Sequence, residues 1–250
     1  MDPSAPARMP AYGTAHLAVL AVIAVVCVVT VVLGRRTRGS LAEQRLTSAT
    51  GWVVLAVFVA WTAWGLLPAN WDVEQSLPFH YSDAIRVATG IALVTRRASA
   101  IALSFYWGLT LNLQSILTPD LVYQTNPPLE FAAYWFLHGV ALAAPVLLVW
   151  GLGYRPTWRG YVYAFAATLG WAAVAMSVNA ITGANYGYLA HAPAGASILD
   201  LLGGWPVYLV WEAVLVAAVW ALMTWACVLS SRRRGAADVG ASGLVARTGA

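Results

Sequence analysis

Seven long apolar stretches alternate with short polar segments along this chain. They lie at 14–33, 49–68, 78–95, 99–117, 129–150, 160–182 and 204–229. Each is close to the ~20 apolar residues that an α-helix needs to cross the ~30 Å hydrocarbon core of a bilayer. The third stretch is the least apolar. The pattern predicts an all-α polytopic membrane protein, a bundle of seven transmembrane helices.

The composition agrees with this pattern. Of the 250 residues, 60% are hydrophobic and only 10% are charged, which excludes an ordinary soluble domain. Cys27 and Cys227 fall inside the first and last stretches, so no disulfide framework is predicted. The expected organisation is an outer N-terminal segment (1–13), a seven-helix membrane domain (14–229) and a disordered basic cytoplasmic tail (230–250). The expected location is the cell membrane, as a multi-pass protein.

The positive charges predict the orientation. The chain has no lysine, and twelve of its fourteen basic residues lie on one predicted side, namely Arg35, Arg36, Arg38, Arg45, Arg96, Arg97, Arg155, Arg159, Arg232, Arg233, Arg234 and Arg247. Because basic loops stay in the cytoplasm, the N-terminus is expected outside and the C-terminus inside. The net charge of +4 then reflects topology, and no nucleic-acid partner is predicted.

All four histidines fall on the predicted outer side: His16, His80, His138 and His191. His16 opens the first stretch and is interpreted as interfacial. The densest polar cluster is the segment LPFHYSD at 77–83, where the third stretch begins. Ionisable groups inside a bilayer are costly and persist where they are paired or functional. The sequence therefore predicts a polar pocket open to the outer leaflet.

Two interpretations fit the start of the third stretch. At about 100° per residue, His80, Ser82, Asp83 and Arg86 fall on roughly one half of a helix. Asp83 and Arg86 are i,i+3 neighbours and can form a buried ion pair that positions two helices. Alternatively, Ser82 is an oriented nucleophile beside a network of charges.

Polar residues in the later stretches add candidates. His138 is expected ~14 Å deep, near the midplane, as a general base or an interhelical hydrogen-bonding group. Asn112 and Gln114 can hold a lipid phosphate, an ester carbonyl or an oxyanion, or join helices. Asn185 is a further oxyanion or headgroup candidate, and Glu212 is a buried acid that can pair with Arg86. No cofactor and no resident metal are predicted.

Six short motifs occur in a fixed order on this hydropathy pattern. They are His16-Leu17, LPFHYSD at 77–83, Gln114 with TPDL at 118–121, FLHG at 136–139, NYGYL at 185–189 and WPVY at 205–208. Together they resemble the YwaF family of bacterial membrane proteins, which is related to the animal transmembrane protein 164 family. The resemblance covers roughly residues 12–229.

The resemblance implies a phospholipid acyltransferase whose partners are membrane phospholipids or lysophospholipids. In the animal relatives a cysteine and a histidine are thought to carry the acyl transfer, and the matching positions here are Ser82 and His138. The serine is a departure, because a hydroxyl needs an adjacent base where a thiol is partly ionised. Asp83 or Glu212 would orient the histidine. The substrate-binding candidates are His80, Arg86, Asn112, Gln114, Asn185, Tyr186 and Glu212.

Two other functions compete with acyl transfer. A zinc-dependent lipid amidohydrolase would take His80 and His138 as ligands, with Asp83 or His191 as the third. A non-enzymatic transporter or lipid-binding protein would use Arg86, Asp83 and Glu212 as a proton or solute path. The first hypothesis makes a geometric prediction, because it requires His80, Ser82, Asp83, Asn112 and His138 to converge in one cavity.

Overall fold

The structure, a computed structural model, describes the backbone of residues 7–192 and 202–248 and the side chains of these ranges up to residue 230. Within those ranges the protein is all-α. The helices are α1 (Thr14–Thr37), α2 (Leu41–Gly65), α3 (Tyr81–Thr95), α4 (Ala98–Leu109), α5 (Leu111–Leu117), α6 (Pro127–Val146), α7 (Trp158–Thr182) and α8 (Val207–Thr248). A π-helical turn, Leu147–Gly151, extends α6.

Six of the seven predicted spans are helices long and apolar enough to cross a bilayer, counted over the described residues. α4 and α5 together form one of the six. The predicted span 78–95 is the exception, because α3 has only 15 residues and covers ~22 Å. It begins late since the His80 backbone N–H donates to Asp83 Oδ2 (3.1 Å), which caps the helix. The chain is a multi-pass membrane protein with a short third helix.

The basic connections gather at one end of the bundle. Arg35 Nε donates to the Trp150 carbonyl (3.0 Å), which ties the end of α1 to the end of α6. Arg96, just after α3, forms an ion pair with Glu43 in the first turn of α2. These contacts bring three arginine-containing connections together. Which end faces the cytoplasm stays a prediction.

The opposite end is joined by polar contacts of the N-terminal segment and the longer loops. His16 is fully buried. Its Nδ1 accepts from the Tyr12 backbone N–H (2.8 Å), so its Nε2–H donates to the Ile116 carbonyl (2.8 Å). Thr125 Oγ1 donates to Asn70 Oδ1 (2.9 Å). The ring of His16 therefore joins α1 to α5 inside the protein, and its place at the membrane interface stays a prediction.

The spans that contain α4 and α6 are the most buried, and α1, α2, α7 and α8 surround them. Phe105, Tyr106 and Trp220 fill the interface between α4 and α8. The Tyr106 hydroxyl and Thr224 Oγ1 are 2.6 Å apart, and Trp220 Nε1 donates to Thr110 Oγ1 (3.1 Å). In an apolar surrounding such side-chain hydrogen bonds between helices contribute to their association.

α8 continues as helix to Thr248, into the segment 230–250 for which a disordered tail was predicted. Its candidate membrane span is Val207–Ser230. The division into 1–13, 14–229 and 230–250 stays a prediction.

The close approach of α4 and α6 leads to a stability prediction at Gly108. A Cβ there would lie 2.4 Å from the Ala141 backbone oxygen. Gly108→Ala should therefore lower the free energy of unfolding by ~1–3 kcal/mol, since the backbone must shift. Gly170 in α7 is the control, because a Cβ there meets nothing within 4 Å. Gly170→Ala should be neutral or stabilising by up to ~1 kcal/mol. Thermal unfolding in detergent measures both, and equal midpoints would contradict the prediction.

Candidate functional site

A cavity of about 750 Å³ lies among α2, α3, α5, α6, α7 and α8. Eight of the ten site residues proposed from the sequence line it, namely His80, Ser82, Asp83, Arg86, Asn112, Gln114, His138 and Glu212. The five residues expected to converge are among them. These residues come from four helices and one helix cap, so the cavity is a product of the tertiary structure.

The polar side of the cavity is organised by an ion pair. Arg86 Nη1 donates to Asp83 Oδ1 at 2.7 Å, and both side chains are about nine-tenths buried. The second carboxylate oxygen, Asp83 Oδ2, accepts the His80 backbone N–H. Asp83 therefore compensates the arginine and caps α3 at once. It does not contact His138, so the orientation of that histidine has another source.

Asn112 orients His138. The carboxamide Nδ2 of Asn112 donates to the His138 carbonyl (3.1 Å), which fixes which way the amide points. Its Oδ1 then accepts from His138 Nδ1–H at 2.7 Å. The proton therefore sits on Nδ1, and Nε2 carries the free lone pair. Asn112 was proposed as an oxyanion or headgroup ligand, whereas in this structure its amide is used to hold the imidazole.

A break between two helices makes this contact possible. Thr110 has φ −123° and ψ −81°, outside the helical region, and separates α4 from α5. This non-helical residue interrupts the regular helix and changes the angular position of the residues that follow it. Asn112 is the second residue of α5. In a continuous helix the residues facing α6 would follow one regular stripe. The break at Thr110 changes which residues of α5 face α6, and Asn112 is one of them.

Nε2 of His138 faces Arg86 and not Ser82. Arg86 Nη2 lies 3.5 Å from His138 Nε2, a long contact. Ser82 Oγ has no hydrogen-bond partner among the described residues, although Ser82 lines the same cavity. The structure thus places an unengaged hydroxyl and an oriented imidazole at one cavity without joining them. The group that contacts Nε2 of His138 is Arg86.

Of the remaining site candidates, one lines the cavity and two do not. Glu212 lines the cavity but is absent from the three ion pairs of the described side chains, so the proposed Glu212–Arg86 pair is not formed. Asn185 does not line the cavity, and its Oδ1 accepts from the His191 backbone N–H (3.2 Å). Tyr186 is fully buried behind the lining and its hydroxyl donates to the Val73 carbonyl. Asn185 and Tyr186 hold the loop after α7 in place, and their part in substrate binding stays a prediction.

Aromatic side chains that sequence reasoning did not single out complete the lining. The Tyr134 ring lies 4.3 Å from the His138 ring, and its hydroxyl donates to the Ser115 carbonyl (2.7 Å). Tyr81 packs edge-on against Trp171, with ring centroids 5.1 Å apart. The i,i+4 spacing of Tyr134 and His138 was the signal available in the sequence, since it places both on one helix face.

The mouth of the cavity carries mixed charges. Arg8 and Asp120 form an exposed ion pair, and both line the opening. Burial and the nearby Asp120 carboxylate raise the pKa of Tyr188 to about 12. The Tyr188 hydroxyl therefore stays protonated at neutral pH and donates to Asp120 Oδ2 (3.1 Å). These contacts tie the N-terminal segment and the loop after α7 to one rim.

The zinc alternative required three ligands in one place. The described part of the chain gathers no group of three or more histidine, cysteine, aspartate or glutamate side chains that could hold a metal ion. His80, the first of the proposed ligands, has its Nε2 2.8 Å from the Glu74 carbonyl. His191 contacts Asn185 in the loop, away from the cavity lining.

The TMEM164 family matches the chain over residues 11–224. This range contains the whole cavity lining except Arg8. The resemblance inferred from the six motifs is confirmed. No curated protein and no solved structure shows significant similarity to the chain.

The buried ion pair leads to a second stability prediction. Arg86→Met should lower the free energy of unfolding by ~3–5 kcal/mol, because the Asp83 carboxylate stays buried without its partner. Asp83→Asn/Arg86→Met should be less destabilised than Arg86→Met, since no charge is then left uncompensated. Arg8→Met is the control, because its pair with Asp120 is exposed and should contribute at most ~1 kcal/mol. Thermal unfolding in detergent compares the variants, and equal losses for Arg86→Met and Arg8→Met would refute a structural role of the buried pair.

Proposed function

The chain belongs to the TMEM164 family, and from this premise we propose that it is a membrane acyltransferase acting on phospholipids or lysophospholipids. One observation carries the proposal. The unengaged hydroxyl of Ser82 and the oriented imidazole of His138 line the same cavity of about 750 Å³. The resemblance to the animal relatives implies that these two positions carry the acyl transfer.

In the proposed reaction Ser82 Oγ attacks the ester carbonyl carbon of a phospholipid. The Oγ–carbon bond forms, the serine proton passes to His138 Nε2, and the carbon–oxygen bond to glycerol breaks. His138 then returns the proton to the departing glycerol oxygen. An incoming lysolipid hydroxyl reverses these steps on the acyl-serine and releases Ser82. Asn112 keeps Nδ1 protonated throughout, so that Nε2 is the nitrogen that exchanges the proton.

Arg86 has to move for this reaction to proceed. A guanidinium 3.5 Å from Nε2 opposes the positive charge that the imidazole gains with the proton. A carbonyl oxygen arriving in the cavity offers Arg86 Nη2 a charge-assisted hydrogen bond in place of this long contact. The same shift frees His138 Nε2 for Ser82 and places a cation where the oxyanion develops. Asp83 retains Nη1 during the shift and keeps the guanidinium near the cavity.

The position of Arg86 also supports a second candidate, a lipid-binding or transport protein without covalent chemistry. In that case the Asp83–Arg86 pair binds the polar part of a ligand and Ser82 donates a hydrogen bond to it. The zinc amidohydrolase has no comparable support, because the described residues do not bring its ligands together. Activity of the Ser82 variants separates the first two candidates.

The covalent proposal predicts a characteristic set of activities. Ser82→Ala, His138→Ala and the double variant should lose transfer to a similar extent, because the two residues act as a unit. Ser82→Cys should remain active, since a thiol with a pKa near ~8.5 needs less help from a base. Ser82→Cys should also partly rescue His138→Ala.

The measurement is acyl transfer from a labelled phospholipid to a lysophospholipid in liposomes, with each purified variant. Ser177→Ala is a suitable control, because Ser177 is exposed on α7 and does not line the cavity. It should keep wild-type transfer. Full activity of Ser82→Ala would end the covalent mechanism and leave the binding protein as the better proposal.

We further propose that the cavity faces the outer leaflet of the cell membrane, with the basic connections in the cytoplasm. In a Cys27→Ser/Cys227→Ser background, Asp72→Cys should react with a membrane-impermeant thiol reagent added outside intact cells. Arg38→Cys should react only after the membrane is opened. Both positions lie in connections between helices, and Cys27 and Cys227 lie within spans. The reverse labelling would invert the orientation and move the cavity to the inner leaflet.

A further inference from the structure

A second, wholly apolar groove of about 410 Å³ lies between α7 and α8. One of its residues is on α7 and five are on α8, namely Phe165, Leu209, Val210, Ala213, Val214 and Ala217. Apart from Glu212, which lines the polar cavity, α8 is apolar along this stretch, and Val210 and Val214 are 64% and 50% exposed. Since both helices are candidate membrane spans, the medium that meets these exposed side chains is lipid hydrocarbon.

The groove adjoins the polar cavity. Phe165, Leu209 and Ala213 line both. Arg86 and His138 line the cavity beside α3 and α6. Beside α7 and α8 the lining includes the apolar Met176 and Val216 together with the polar Thr168 and Glu212. Phe165, Leu209 and Ala213 therefore stand between the lipid-facing groove and the cavity that holds the candidate site.

The dimensions suit one hydrocarbon chain. The groove follows α8 from Leu209 to Ala217, which is ~12 Å at 1.5 Å per residue. A helix of a partner protein has a diameter of ~10 Å and cannot follow the groove into the interior. A single acyl chain is thin and flexible enough to do so. Its ester end then reaches the polar part of the cavity while its methylenes stay in apolar surroundings.

We infer that the groove between α7 and α8 admits one acyl chain of a membrane glycerolipid laterally from the bilayer and holds it with the ester toward Arg86 and His138. The inference deepens the proposed function, since the identity of the bound lipid as a substrate rests on that function. The site itself, as a place where a lipid chain lies, does not depend on catalysis.

Photolabelling tests the groove independently of activity. The probe is a phosphatidylcholine with a diazirine on one acyl chain, placed in liposomes with the purified full-length protein. Ile85 lines the cavity and is only 1% exposed, so bulk lipid does not reach it. Mass spectrometry should find the label at Ile85 in the wild type. Ala213→Trp should reduce this label at least about tenfold by filling the groove, as should Ala217→Trp at its far end.

Ala218→Trp is the matched control, because Ala218 is an exposed alanine of the same helix that lines neither space. The label at Ile85 in Ala218→Trp should equal that in the wild type. A competition experiment with the wild-type protein also tests whether a lipid chain reaches Ile85. Unlabelled phosphatidylcholine should compete with the probe at Ile85, whereas water-soluble glycerophosphocholine should not. Unchanged labelling in the groove variants, or competition by glycerophosphocholine alone, would overturn the inference.

The two proposals fail in different ways. If Ile85 labelling depends on the groove but no variant transfers acyl groups, the lipid site stands and the acyltransferase proposal falls. If transfer is normal and Ala213→Trp changes neither transfer nor labelling, the acyltransferase stands and the lateral path falls. A changed oligomeric state of Ala213→Trp with unchanged labelling would assign the groove to a contact between copies of the chain and overturn the inference.

Discussion

The charge of Arg86 inside the membrane region constrains the rest of the structure. A buried guanidinium is costly unless an opposite charge and hydrogen-bond acceptors compensate it. Asp83 does this one turn earlier on the same helix, at 2.7 Å. Because Asp83 also accepts the His80 backbone N–H, the pair and the start of α3 are fixed together. The start of α3 and the polar side of the cavity follow from this arrangement.

The other half of the site depends on an interruption of a membrane span. α5 leaves the direction of α4 at Thr110, and Asn112 can then hold both the carbonyl and the ring of His138. Trp220 supports the break from α8, since its indole donates to Thr110 Oγ1. Irregular backbone within a membrane is tolerated where protein surrounds it, and Thr110 lies in the most buried span of the bundle. The backbone break and the orientation of the imidazole are thus one structural feature.

The arrangement of His138 and Ser82 is compatible with ligand binding alone and with a covalent reaction. His138 has its free lone pair toward a cation, and Ser82 has a hydroxyl with no partner among the described residues. A ligand with a carbonyl oxygen and a hydrocarbon chain would engage Arg86 with the first and the groove between α7 and α8 with the second. Catalysis in such a site depends on differential interactions that form as charge develops on the oxygen.

The sequence by itself determined the membrane class, six of the spans and the family, because hydropathy and ordered motifs are properties of the chain. It also predicted the Asp83–Arg86 pair, since an i,i+3 contact is local. The tertiary structure alone decided that Asn112 orients His138, that His16 is buried against Ile116, and that Asn185 lies outside the cavity lining. These contacts join residues from separate helices or depend on how a loop packs, and helical periodicity does not encode such distances.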